Sequence, residues 1–337
     1  MSKDITIIYP PAIDYKFMHQ RPQQIMKAMA ELGANVLFLN PETFFDQDEP
    51  VEVPFSHLPN FRVVKKDVDI SPFIKGKKIL WCAVNQGNQI DLHKPDLAIF
   101  DSCDLPSDEF SVWKSYIPEM EEKCDIIFAT SPPIYNEHKA NGRNVHLLPN
   151  GADFDHFKKA SSPIGNRPKD LPSTKGRPLI GYYGAIYSWL DVELIEKIAD
   201  RYPVVLIGSQ NIQIKHHNVK MLDMKFYEEL PRYLSWFDVA IIPFKMTDMI
   251  KATNPIKFYE YISAGKPVVS VRLPELSKYK HLCHFAEKKN VLAIIEEALK
   301  MNTAEKIYER QKEAMKHDWV ARAEVALKII QKALKKK

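Results

Sequence analysis

The residues of this chain able to do chemistry on a polar ligand gather where apolar runs end. Asp101 and Asp104, in Phe100-Asp-Ser-Cys-Asp104, follow one such run, and a carboxylate at the C-terminal end of a strand could take the proton of an attacking hydroxyl. Either aspartate could equally cap the turn that follows. His19, Gln20 and Arg21 precede Pro22, which suits the first turn of a helix, so they stand at a helix N-terminus where a polyhydroxylated or anionic ligand could be held. Ordinary polar capping is the competing reading. Ser131, ahead of Pro132 and Pro133, occupies a similar strand-to-helix position and joins these three as a candidate for binding a sugar or an acceptor.

A second group lies further along. Gly181-Tyr-Tyr-Gly184-Ala185 ends one apolar run, where a bare Cα at Gly184 would let a diphosphate approach the backbone, and Gly208 ends the next. The richest stretch is Thr253-Asn-Pro-Ile-Lys-Phe-Tyr-Glu260. Pro255 opens a helix whose free N–H groups and dipole favour phosphate, Lys257 adds a point charge in the first turn, and Glu260 lies three residues on over the same face. A nucleotide needs such a pair, a cation for its diphosphate and an acceptor for its ribose hydroxyls. A plain surface ion pair would use the same spacing. The candidate donor-binding residues are therefore Tyr183, Gly184, Ala185, Gly208, Asn254, Pro255, Ile256, Lys257 and Glu260.

The elements that position these residues alternate. Short β-rich runs at 5–9, 35–39, 78–82, 97–100, 126–129 and 145–147 are separated by amphipathic segments, the pattern of parallel strands joined by helices. Residues 158–178, with four prolines and little apolar periodicity, read as a linker. Alternation restarts at 179–183 and continues through 204–207, 239–243 and 268–271, with helices at about 191–201, 226–235 and 255–264. The expected fold is α/β, with two doubly wound domains facing each other across a cleft. Eleven glycines against 24 prolines is a sparing use of glycine, average usage being roughly 7% and 5%, so several of those kept should sit where a side chain cannot.

Composition narrows the partners. A net charge of +4 from 47 basic and 43 acidic residues does not announce a nucleic-acid protein. Cys82, Cys103, Cys124 and Cys283 are widely spaced without a CxxC pair, which fits a reducing compartment and argues against a structural zinc. No GxGxxG follows the first strand, so a dinucleotide redox cofactor is not expected. Met1 leads straight into a strand, and no apolar run approaches the ~20 residues of a spanning helix. The expectation is a cytoplasmic protein, peripheral on the inner face of a membrane at most. Lys332, Lys335, Lys336 and Lys337, beside Leu327, Ile329 and Ile330, form a basic amphipathic end that reads either as a solvated helix terminus or as a contact for an anionic membrane.

Taken together, His19 to Gln24, Phe100 to Asp104, Ala129 to Ser131, Leu148-Pro-Asn-Gly-Ala-Asp153, Gly181 to Gly184 and Asn254 to Glu260 with Gly265-Lys-Pro-Val-Val269 resemble bacterial GT-B glycosyltransferases of surface-polysaccharide synthesis. The group named for teichuronic acid is the most similar, and the xanthan glucuronosyltransferase is more distant. The resemblance implies a nucleotide-sugar donor, a UDP-sugar, held mainly by the second domain, and a glycan or lipid-linked acceptor on the first. It implies no bound metal and no cofactor beyond the donor substrate. Lys257 would contact the diphosphate, Glu260 a ribose or sugar hydroxyl, and Gly184 the phosphates through its backbone. Asp104 matches the position of the catalytic base in the xanthan enzyme, should the reaction invert the anomeric centre. In related retaining families a pair of acids marks this helix region; Glu260 aligns with the second, and residues 248–254 stand where the first falls. The domains implied are 1–160, a linker at 161–177, and a donor domain at 178–315, with a last helix, about 316–337, crossing back onto the first. A nucleotide-sugar 2-epimerase of the same layout and a non-catalytic sugar-binding protein are the competing functions.

Overall fold

The computed structural model describes residues 4–41 and 50–337. The chain divides into two compact units, one of Met1–Asn150 with Trp319–Lys337 and one of Gly151–Asp318.

In the first unit the described residues form an eight-stranded sheet of order β3-β4-β2-β1-β5-β6-β7-β8. Its strands are β1 (Ile5–Tyr9), β2 (Asn35–Asn40), β3 (Val51–Glu52), β4 (Phe61–Lys65), β5 (Lys77–Cys82), β6 (Leu97–Ser102), β7 (Ile126–Ala129) and β8 (Val145–Leu147). Every pairing is parallel except β3 with β4. Four α-helices punctuate the strands: α1 (Arg21–Glu31), α2 (Gly87–His93), α3 (Ile117–Lys123) and α4 (Pro132–Ala140). β1, β2, β6 and β7 are buried along their whole length, as expected of strands covered on both faces.

The second unit has six parallel strands in the order β11-β10-β9-β12-β13-β14. They are β9 (Ile180–Tyr183), β10 (Val204–Ile207), β11 (Val219–Leu222), β12 (Val239–Ile242), β13 (Val268–Ser270) and β14 (Cys283–Phe285). Its helices are α5 (Phe154–Phe157), α6 (Val192–Ala199), α7 (Leu230–Ser235), α8 (Asp248–Lys251), α9 (Ile256–Ser263), α10 (Val291–Lys300) and α11 (Ala304–Ala314). α6 shows how local chemistry starts such a helix. The Asp191 carboxylate accepts from Leu194 N at 3.0 Å, and the helix then turns Leu194, Ile195, Ile198 and Ala199 into the core.

The alternation of strands and helices is the α/β architecture expected from sequence. The linker is not as expected. Residues 158–178 fold onto the second unit: Ile164 N donates to Ser235 Oγ at 3.0 Å, Leu171 is buried, and Asp170 accepts from Lys225 Nζ and from the Tyr233 hydroxyl, both at 2.8 Å. Proline-rich composition permits a packed coil as well as a free one, and partners more than 50 positions away decide between them. The division accordingly falls at Asn150 and Gly151, not after residue 160. There Ala152 pairs in parallel with Asp318, Ala152 N donating to His317 O at 3.1 Å and Phe154 N to Asp318 Oδ2 at 3.1 Å.

The C-terminal helix α12 (Trp319–Leu334) packs against α1 within the first unit, burying Trp319, Ala323, Ala326, Leu327 and Ile330. The apolar side that gave this segment its amphipathic look is thus used in the core. Lys337 is ion-paired with Asp125 at 2.7 Å, while Lys332, Lys335 and Lys336 are exposed. Among the described residues no helix is long and apolar enough to cross a membrane.

Candidate functional site

Helix α9 organises the site of the second unit. Asn254 and Pro255 lead into it with Pro255 in extended conformation at its N-cap, so the first free N–H groups of the helix belong to the turn that carries Ile256 and Lys257. The Lys257 ammonium lies over two rings, 5.3 Å from the centre of Tyr182 and 4.9 Å from that of Phe244. Both rings present their faces to the cation. Gly184 adjoins it: a Cβ there would stand 3.1 Å from Lys257 Cε and 3.5 Å from its Nζ. The φ of Gly184 is +129°, a value side chains rarely adopt. Gly208 is needed for a different reason, since its Cβ would fall 2.0 Å from the Gly184 carbonyl oxygen. The two glycines therefore let the loops after β9 and β10 lie against each other.

One expectation at Gly184 needs correcting. Its backbone N–H donates to Ile207 O at 2.9 Å and so is already committed to the sheet edge. What the glycine contributes is space beside Lys257. The Ala185 carbonyl likewise accepts from the Tyr182 hydroxyl at 2.9 Å, which fixes one of the two rings beneath the lysine.

Glu260, one turn further along α9, is only 6% exposed, so it is not half of a surface ion pair. Burial pushes its pKa up to about 7; the Tyr183 hydroxyl and Lys257 oppose the rise, and Asp153 adds to it. Near neutral pH it therefore exists in both forms and can accept from a hydroxyl or donate to an oxygen. Tyr183 N donates to the Tyr261 hydroxyl at 3.1 Å. The Tyr183 hydroxyl lies beside Glu260 and helps to hold its carboxylate, while burial raises the pKa of the hydroxyl itself. Asn254 is different again: its amide donates to Glu275 Oε2 at 2.6 Å and to the Tyr259 hydroxyl at 3.2 Å, so it anchors the entry to α9.

The raised pKa of Glu260 has a sign that can be checked. The unfolded chain releases this proton near pH 4.5 and the folded chain near 7, so the folded state binds more protons between them and stability falls as pH rises through that window. Above it the penalty is about 3 kcal/mol. Glu260→Gln should remove this slope, so that melting curves of variant and parent diverge in the variant's favour from pH 5 to pH 8. Parallel pH profiles would contradict the assignment.

In the first unit the structure brings Arg21 and Asp101 together. Arg21 Nε donates to Asp101 Oδ2 at 2.9 Å and its Nη2 to Oδ1 at 2.8 Å, while Nη1 reaches Asn150 Oδ1 at 3.0 Å. The guanidinium carbon lies 6.0 Å from the Trp319 ring centre. Both charged groups are buried. Burial works against the Arg21 charge, and the Asp101 carboxylate more than restores it, holding the guanidinium above its ordinary pKa. The Asp101 oxygens are occupied by these bonds, and a guanidinium so engaged is not a free acceptor-binding cation. The roles expected for Asp101 and Arg21 thus give way to an internal anchor.

Asp104 remains half-buried two residues beyond the end of β6. The chain that carries it is clamped: Thr130 Oγ1 donates to Cys103 O at 2.6 Å, and Ser102 Oγ lies 3.0 Å from His138 Nε2, whose Nδ1 is 2.7 Å from Glu121 Oε1. Ser102, His138 and Glu121 are all buried. Ser131 takes the N-cap of α4, and its Oγ is buried without a hydrogen-bond partner among the described residues. Gln20 takes the N-cap of α1, with its N–H donated to Gln23 Oε1 at 3.1 Å, and His19 meets the Tyr15 ring edge-on at 5.9 Å. Sequence reading gave no role to Asp153, Tyr182, Phe244, Glu121 or His138. Asp153, Tyr182 and Phe244 did have a signal, since each falls within a motif, whereas Glu121 and His138 had none. Among the described residues no group of three His, Cys, Asp or Glu side chains is placed to hold a metal ion.

Two mainly parallel α/β units of this kind define the GT-B fold of glycosyltransferases. No protein-family model matches the chain. Over a 216-residue alignment it is 25% identical to TuaH of Bacillus subtilis (strain 168), provisionally named a teichuronic acid biosynthesis glycosyltransferase, which covers 56% of this chain and 53% of the relative. The chain thus matches about half the length of that curated protein. Among solved structures it is similar to sucrose-phosphate synthase from Thermosynechococcus elongatus, with a TM-score of 0.71, 13% identity and 99% and 100% of the two chains covered. The E. coli trehalose-6-phosphate protein solved with UDP-2-fluoro glucose gives 0.68 at 12% identity over 98% and 99%. At such identities the likeness establishes the fold.

Proposed function

We propose that this protein is a glycosyltransferase that moves a sugar from a nucleotide-diphosphate donor, a UDP-sugar, to a growing surface glycan. The observation that carries the reading is the meeting, within the second unit, of the Gly184 gap, the ring-seated Lys257 and the buried Glu260 at one helix start. Sugar transfer from a diphosphate requires that charge growing on the leaving phosphate be neutralised and that the acceptor hydroxyl lose its proton. The α9 N-terminus and Lys257 supply the first, and no metal is required for it. Glu260 and the Tyr183 hydroxyl are suited to ribose or sugar hydroxyls. Asp104 is assigned the second, as general base. The similarity to TuaH favours a polysaccharide acceptor, and a structural neighbour solved with a UDP-sugar analogue favours the donor class. A lipid-linked acceptor at an anionic membrane surface would suit the exposed Lys332, Lys335 and Lys336.

The test is a thermal-shift screen over nucleotide sugars, since a ligand of the native state raises its melting temperature by mass action. A UDP-sugar should raise it, and Lys257→Ala should abolish most of the rise, because a charge-assisted contact is worth about 1.5–3 kcal/mol. The donor found should release UDP only when an acceptor glycan is added. Release or isomerisation of the donor without acceptor would favour the 2-epimerase, and binding without either would favour a sugar-binding protein.

A further inference from the structure

A second polar site lies in the same unit at the other edge of the sheet. Gly184 and α9's first turn stand where the parallel strands end, whereas Cys283 begins β14, and around that beginning is a cavity of about 250 Å³. Arg310, on α11, is one wall. It is 2% exposed and donates from Nη1 to Gly265 O at 2.7 Å and to Asn302 Oδ1 at 2.8 Å. Among the described residues no carboxylate lies within 4.0 Å of its guanidinium or of the Lys280 ammonium. A buried guanidinium ordinarily rests on a carboxylate. Here the C-terminal end of α9, at Gly265, supplies only part of a countercharge, and burial pushes the Arg310 pKa down to about 10.

Lys280, His281, His284 and Lys306 add basic side chains to the wall, with burial holding the His284 imidazole below its ordinary pKa, and Leu282, Cys283 and Met301 line the remainder. Two acids border it. Glu309 holds Lys306 at 2.6 Å, and Glu297, more than half exposed, is 3.9 Å from His284 Nδ1. Three cations, Lys280, Lys306 and Arg310, thus face two carboxylates, Glu297 and Glu309, the second of which also acts on Arg310.

We propose that this cavity binds a small oxyanion of the phosphate class, free phosphate or a phosphate monoester, seated against Arg310 with Lys280 and Lys306 at the rim. Its size excludes a whole nucleotide sugar, since pockets for ligands of that scale run to roughly 300–1,000 Å³. The site does not depend on the glycosyltransferase reading, because it shares no residue with the Lys257 site.

Calorimetric titration of the full chain with inorganic phosphate tests it. Saturable binding is expected, undiminished by UDP, and about tenfold weaker in the double variant Lys280→Ala/Lys306→Ala, whose first position is exposed and whose second is half-buried on the surface of α11. A hexose monophosphate binding tighter than phosphate would assign the ester, and equal binding the free ion. Phosphate displaced by UDP, binding unchanged in the double variant, or no saturable binding at all would overturn the proposal.

Discussion

Asp104→Asn is expected to lower turnover by about 10²–10⁴-fold while leaving donor affinity unchanged, the range that a positioned general base contributes. The expectation rests on where Asp104 stands in the chain. Both oxygens of Asp101, three residues earlier, are engaged by Arg21 in a buried ion pair. Asp104 stands beyond the strand end, half-buried, on a backbone fixed by the Thr130 bond to Cys103 O and by the Ser102, His138 and Glu121 chain. Rigid support of that kind keeps a base within reach of its proton. The donor phosphates are assigned to the other unit, so binding should not change. Turnover would be followed with a donor and acceptor pair, and affinity by the thermal shift of the donor. Unchanged turnover would remove Asp104 from the mechanism.

The second large effect concerns stability. Arg21→Met leaves the Asp101 charge buried without its ion pair and also removes the bond to Asn150 Oδ1, which should cost about 3–5 kcal/mol. Arg21→Met/Asp101→Leu should recover most of that loss, because a buried pair replaced by apolar groups of similar size is often neutral or stabilising. Denaturant unfolding of the parent, both single variants and the double variant closes the cycle. Costs that simply add would mean the two residues do not act as a pair. The outcome also separates roles: a residue that anchors α1 to β6 and to Asn150 changes stability first, whereas an acceptor ligand would change the Michaelis constant.

Comparison of the strands shows what a sequence reading can reach. Most of the strands it placed are central ones such as Ile5–Tyr9 and Val239–Ile242, buried on both faces and therefore continuous apolar runs; β8, at one end of the first sheet, is the exception. Those it missed lie toward the sheet margins: β3 and β4 at one end of the first sheet, β11 and β14 at the two ends of the second. Val219-Lys-Met-Leu222 has a half-exposed pattern and Cys283-His-Phe285 spans three residues, so neither leaves a run to notice. Residues 158–178 were misleading in the opposite sense, since turn-forming composition describes local backbone preference and says nothing of the Asp170 contacts with Lys225 and Tyr233.

The same division holds at the site. The amino-acid sequence by itself determined the α/β class and the candidates that adjoin strand ends, namely Asp104, Gly184, Lys257 and Glu260, because periodicity and helix-start chemistry are local properties. Only the tertiary structure decided which of them are committed elsewhere. It withdrew Asp101 and Arg21 into an ion pair 80 positions apart, committed the Gly184 N–H to Ile207, and set Lys257 on rings from β9 and the loop after β12. It also buried Glu260 near Asp153, more than 100 positions earlier in the chain, which moves its proton into the neutral range. Burial and pairing between distant segments depend on packing, and no spacing along the chain encodes them.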